Sequence, residues 1–132
     1  MKVTLISIPV RDQEKARKFY TEKLGFKIKK DDDLGGGNRW LTLVSADWED
    51  GPEILLEPGP VHFEPCKVYQ DALLEAGYPY TQFDVDNVDA EYERLTKLGV
   101  EFSAKPTTLD TVKYAILNDT CGNNIQLVEY LK

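Results

Sequence analysis

The sequence predicts an α+β domain made of two β-α-β-β-β modules joined by a short linker helix. Three observations carry this prediction. Branched and aromatic runs of strand length recur along the chain, and a helical stripe follows the first strand of each half. The order of elements in the first half is repeated in the second, which is the mark of an internal duplication. Finally, 132 residues with 42% hydrophobic and 30% charged side chains suit one compact domain. A chain of this size buries roughly two thirds of its surface without disulfide or metal staples.

The elements follow in order. Val3 to Val10 is rich in branched residues and reads as a strand. Asp12 is a natural N-cap for a helix from Gln13 to Leu24, where Ala16, Phe19, Tyr20 and Leu24 form the apolar stripe and Gly25 supplies the stop. Strands are expected at Phe26 to Lys30, Arg39 to Ser45 and Glu53 to Glu57. Asp31 to Asn38 reads as a solvated hairpin connection, because the calcium-loop pattern begun by Asp31 lacks its closing Glu at Thr42. A linker helix is expected from Pro65 to Ala76, with Val68, Ala72, Leu73 and Ala76 apolar and Gly77 at its end. Then the order repeats: a strand at Tyr80 to Val85, the cap Asp86-Asn87, a helix carrying Val88, Tyr92, Leu95 and Leu98 and closed by Gly99, and strands at Val100 to Ala104, Val112 to Leu117 and Asn124 to Tyr130.

Lys and Arg total 16 against 23 Asp and Glu, a net charge of -7, which repels the phosphate backbone and argues against a nucleic-acid partner. No apolar run approaches the roughly 20 residues of a membrane helix, so no membrane partner is expected. Met1-Lys2 opens straight into a strand pattern without signal-peptide architecture, and Cys66 and Cys121 read as free thiols, so a cytoplasmic location is expected.

The duplicated modules, Val10-Arg11-Asp12 with Ala16, Phe19-Tyr20 and Leu24-Gly25-Phe26, and the turn Asp119-Thr120-Cys121-Gly122-Asn123 together resemble the glyoxalase, bleomycin-resistance and extradiol-dioxygenase group, the vicinal oxygen chelate superfamily. The late turn departs from the family pattern, with Thr120 and Cys121 where Pro and an acidic residue are usual. The resemblance covers the whole chain. It implies one domain, with module one at 1–58, the linker at 59–78 and module two at 79–132. It further implies that the strands of each module curl into half a barrel, that facing modules enclose a groove for a metal or ligand, and that in many small members those modules come from two chains of a homodimer.

Enzymes of this family, lyases or isomerases of the lactoylglutathione type and ring-cleaving dioxygenases, hold a divalent metal with His or Glu on the outer strands of each module. Carried onto this sequence, those positions are Leu5, Glu57, Tyr80 and Gln126. One carboxylate with a leucine, a phenol and an amide is a poor ligand set for such an ion. No cofactor is therefore expected, and a divalent metal enters only if the chain is an enzyme with a divergent site. The single histidine, His62, reads as an exposed loop residue, and Cys66 lacks a third group to make a nucleophile of it.

Strand alternation assigns faces. Ile6, Ile8, Val10, Phe83, Val85, Ile125 and Leu127 should pack under the helices. The opposite face would carry Leu5, Ser7, Glu53, Leu55, Glu57, Tyr80, Gln82, Asp84, Asn124, Gln126 and Val128, a mixed and acidic set that suits a wet groove better than a closed core. The candidate ligand-binding residues are Glu57, Tyr80, Gln82, Asp84, Gln126, Trp40 and Ser7. Glu57, Asp84 and Glu53 would supply charge to a cationic, partly aromatic small molecule, Tyr80 and Trp40 stacking, and Gln82 and Gln126 hydrogen bonds. Two alternatives stay open: Tyr80, Gln82 and Gln126 satisfying one another, and Trp40 and Trp48 serving as core.

Overall fold

The computed structural model describes residues 1–132. The chain divides into two compact units, Met1–Gln70 and Asp71–Lys132. In the first, β1 (Leu5–Pro9) leads through Asp12 into α1 (Gln13–Lys18), a wider π turn (Phe19–Lys23), β2 (Lys27–Gly35), β3 (Asn38–Val44) and β4 (Glu53–Glu57), followed by the single turn α2 (Gly59–His62). The helix α3 (Glu64–Ala76) crosses the boundary. The second unit contains β5 (Pro79–Asp84), α4 (Val88–Lys97), β6 (Phe102–Leu109), β7 (Val112–Asn118) and β8 (Asn124–Tyr130). No helix is long and apolar enough to cross a membrane.

The sheets repeat one topology. The strand orders are β1-β4-β3-β2 and β5-β8-β7-β6, with the first pair parallel and the others antiparallel in each. The helices also start alike. Asp12 accepts from the Lys15 amide and Asn87 from the Ala90 amide, both at 2.9 Å, which satisfies a donor that has no partner inside the helix. Gly25 and Gly99 end the helical segments at φ of 90° and 85°, a conformation that costs glycine little.

Helix α1 and its π turn bury Ala16, Phe19 and Tyr20 against Ile8, Leu41, Leu43 and Leu56. The amide of Leu24 donates to the Phe19 carbonyl five residues back, and the Phe19 and Tyr20 rings meet edge to face at 5.5 Å. Phe19 and Tyr20 stand at i+3 and i+4 from Ala16, so both fall on the apolar face that α1 and its π turn lay on the sheet. Gln13 fastens the helix start to the sheet. Its buried amide nitrogen donates to the Leu56 and Arg39 carbonyls, and its oxygen accepts from the Arg39 amide. In the second unit Val88 and Leu95 cover Ala115, Leu117, Ile125 and Leu127, with the Tyr92 and Phe102 rings 4.8 Å apart. Each such buried aliphatic side chain contributes about 1.5–3 kcal/mol.

Four sequence expectations need correction. The acidic run Asp31-Asp32-Asp33 is strand rather than connection. β2 continues through it to Gly35, and a two-residue Gly36-Gly37 turn returns the chain into β3. Backbone pairing with β3 outweighs the weak strand preference of aspartate, and the charges stay in water on an edge strand. Next, α3 buries Gln70, whereas Val68 is 57% exposed. Gln70 is held because its Nε2 donates to the Pro9 carbonyl at 2.9 Å and its Oε1 accepts from Arg11 at 3.0 Å, which ties the first half of α3 to β1. Pro58 to His62 is not all loop but includes the turn α2. Finally, Ile6 remains 38% exposed, leaving Ile8 as the β1 residue fully buried under α1.

Candidate functional site

The residues singled out above lie on the sheet faces turned away from α1 and α4. Sheet register shows how they are grouped. Across the parallel pair β1–β4, Leu5 faces Glu53, Ser7 faces Leu55 and Pro9 faces Glu57. Thr42 pairs with Leu55 across β3–β4, and alternation places Trp40 on the Thr42 face and Glu57 on the Leu55 face. That face thus carries a half-buried carboxylate, Glu57, and an indole that is 37% exposed, Trp40. On the same face the Thr42 hydroxyl, fully buried, donates to Glu53 at 2.7 Å and orients that carboxylate. Ser7 is exposed and Leu5 half-buried.

In the second unit Gln82 faces Gln126, Asp84 faces Val128, and Tyr80 is half-buried one residue before this regular register. Gln126 Nε2 donates to Gln82 Oε1 at 3.1 Å, and Gln82 Nε2 donates to the Tyr130 hydroxyl at 3.2 Å. The two glutamines therefore satisfy one another in part, and the chain of hydrogen bonds ends on a tyrosine that the sequence reading passed over. Strand alternation from Gln126 through Val128 would have found Tyr130. Thr42, by contrast, has no sequence signal, since only its diagonal position across from Glu53 gives it a role.

Counting back from the helix caps, Ser7 corresponds to Gln82, and their cross-strand partners Leu55 and Gln126 correspond in turn. Glu57 corresponds to Val128, one row away, so Glu57 and Gln126 do not occupy equivalent rows. A divalent ion at the family's four positions is poorly served. Leu5 has no lone pair, the Gln126 amide donates to Gln82, and Glu57 is the single carboxylate. No three His, Cys, Asp or Glu side chains gather into a group able to hold a metal.

Glu57 has one further neighbour. The Cys66 thiol is raised above its usual pKa, first by burial and then by the Glu57 charge, so it stays protonated and weakly nucleophilic. The Asp119 to Asn123 turn is structural. Asp119, fully buried, accepts from the Cys121 and Asn123 amides and from Asn123 Nδ2 at 2.8–3.0 Å. Thr120 and Gly122 adopt positive φ within it.

His62 does not sit alone on a loop. It ends α2, with Nε2 2.6 Å from Asn38 Oδ1, and lines a cleft of about 320 Å³ with Gln13, Glu14, Arg39 and Val61. Hydrogen bonds from Arg17 and Arg39 hold Glu14 at a pKa of about 2, and Arg39 also lowers Asp31. These carboxylates stay ionised and bound to arginine, which makes this wall of the cleft a set of internal ion pairs.

Residues 2–127 match the profile of the Glyoxalase/Bleomycin resistance protein/Dioxygenase superfamily. The chain belongs to this superfamily. YurT of Bacillus subtilis (strain 168) is 48% identical to this chain over 129 residues, covering 98% of this chain and 99% of YurT. Among solved structures, UcmS2 superposes with a TM-score of 0.82 at 32% identity over 98% of both chains. TnmS3, an antibiotic binding protein from Streptomyces sp. CB03234, superposes with a TM-score of 0.73 at 28% identity over 98% of this chain and 96% of its own. The superfamily fold of paired β-α-β-β-β modules is the one described above.

Proposed function

We propose that this superfamily member is a metal-free binding protein that holds a small organic molecule, cationic and partly aromatic, against the open sheet faces of a cytoplasmic homodimer. The observation that carries the reading is the shared sheet face of Glu57, Glu53 and the partly exposed Trp40 indole. A carboxylate supplies charge and an indole face supplies area and a negative quadrupole, a combination that favours organic cations over anions. The net charge of -7 acts in the same direction at longer range. Support also comes from the likeness to TnmS3, whose own function is antibiotic binding. Of the positions carried over from the metal sites of the enzymes only Glu57 is a carboxylate, and it lies one row from the equivalent of Gln126, so the chemistry of the lyases and dioxygenases has little to build on.

A thermal-shift panel tests this reading. Cationic aromatic compounds should stabilise the protein, with the effect weakening as salt is raised. Light scattering should give about twice the 15.0 kDa chain mass. Stabilisation by anionic glutathione conjugates with cations inert, or stoichiometric metal by elemental analysis after dialysis, would overturn it and favour a metal-dependent lyase or isomerase.

A further inference from the structure

The open face of the second sheet contains an arrangement the reading above does not use. On β5, β8 and β7 that face presents Gln82 and Asp84, Gln126, Val128 and Tyr130, and Tyr114 and Ile116. Asp84 is its one formally charged side chain. The other charges of these strands lie on the helix side, where Lys113 pairs with Asp89 and Glu129 accepts from the Val88 amide. Asp84 is exposed and no cation of the chain pairs with it.

Register then builds the surroundings of that carboxylate. Asp84 faces Val128 on one side, and Tyr114 faces Val128 on the other. Tyr130 lies two residues beyond Val128, yet its hydroxyl reaches back to Gln82, so its side chain leans across the Asp84–Val128 row. Gln82 holds it there, being itself held by Gln126. The half-buried Tyr114 thus ends the row that Asp84 begins, and the Tyr130 ring, 60% exposed, leans over it.

We propose that Asp84, Tyr114 and Tyr130 form a subsite for an alkylated ammonium group of the ligand. An alkylated ammonium is weakly hydrated, needs few hydrogen bonds, and is attracted both to a carboxylate and to aromatic faces. The neighbouring amides spend one N–H each, and Gln82 its oxygen, on each other and on Tyr130. The proposal rests on the binding-protein reading and names the chemistry that this face selects.

The test is a calorimetric titration of the full chain with benzyltrimethylammonium, with benzyl alcohol as the uncharged control. The cation should bind at least about tenfold more tightly than the alcohol. Asp84→Asn should weaken the cation about tenfold and Tyr130→Ala and Tyr114→Ala several-fold, with Tyr130→Phe, which keeps the ring but loses the Gln82 tether, weakening it less than Tyr130→Ala. Thermal melts of the variants report whether each remains folded, and Asp84→Asn and Tyr130→Phe replace exposed groups that the core does not use. Equal binding of cation and alcohol, no binding of the cation, or an unchanged affinity in Asp84→Asn would overturn the subsite. If Glu57→Gln abolishes cation binding while Asp84→Asn leaves it intact, the subsite falls and the binding-protein reading stands. If glutathione conjugates bind in place of cations, the broader reading falls as well.

Discussion

The turn that precedes the last strand of each sheet is built differently in the two units. Between β7 and β8, buried Asp119 gathers two backbone amides and the Asn123 side chain, so the turn is held by hydrogen bonds to a charged acceptor. Between β3 and β4, the chain closes through Trp48 N to Ser45 O and Gly51 N to Trp48 O, and Gly51 lies flat under the Trp48 ring. The open faces diverge in the same way, with carboxylates and an indole on the first sheet and amides and tyrosines on the second. Caps, glycine stops and strand order are common to both. Duplication has kept what the backbone requires and released what faces outward, so the faces are where the two units are free to specialise.

The strongest way to break the comparison is Asp119→Ala. It strands the Cys121 and Asn123 donors in a buried turn, at a cost of about 2–4 kcal/mol, read by urea denaturation. A cost below about 1 kcal/mol would mean the turn is held by something other than Asp119. Gly51→Ala is its counterpart in the first unit. An added Cβ would lie 2.5 Å from Trp48 Cδ2, so the ring must swing away. Because Trp48 is 61% exposed, the loss should be only about 1 kcal/mol, with a red shift in tryptophan fluorescence as the indole becomes more hydrated.

Smaller effects sharpen the contrast between the faces. Glu57→Gln should change stability by less than about 0.5 kcal/mol, because the carboxylate is not needed to hold the fold, while lowering affinity for organic cations. A loss of several kcal/mol in the same melt would make Glu57 a structural residue. Glu14→Gln acts on a group that α4 does not match, since Glu14 serves both Arg17 and Arg39 whereas Glu91 serves Arg94. Its folded pKa is depressed from 4.5 to about 2, so its contribution is complete above about pH 4.5 and fades as pH falls towards 2. The difference in Tm between the two proteins should therefore be constant near neutrality and vanish in acid. A difference that persists at pH 2 would assign the effect to packing instead.

Much of this molecule was decided by sequence alone. Period and capping determine where β1, α1, α4 and β8 lie, because each is a local pattern: branched residues alternating, or a stripe between a cap and a glycine. Alternation also placed Gln82, Asp84 and Gln126 together on one face and Glu53 with Glu57 on another, since side-chain period in a strand depends on nothing outside it. Tertiary structure decided the rest. Asp31 to Asp33 became strand because β3 supplied the pairing. The second half of the predicted helix became a π turn, which no local pattern announced. Gln70 was buried in place of Val68 because the Pro9 carbonyl and Arg11 met its amide. Thr42 met Glu53, and Tyr130 reached Gln82, through register between strands distant in the chain. Those outcomes depend on partners far away in sequence, and a local pattern carries no information about which partner will arrive.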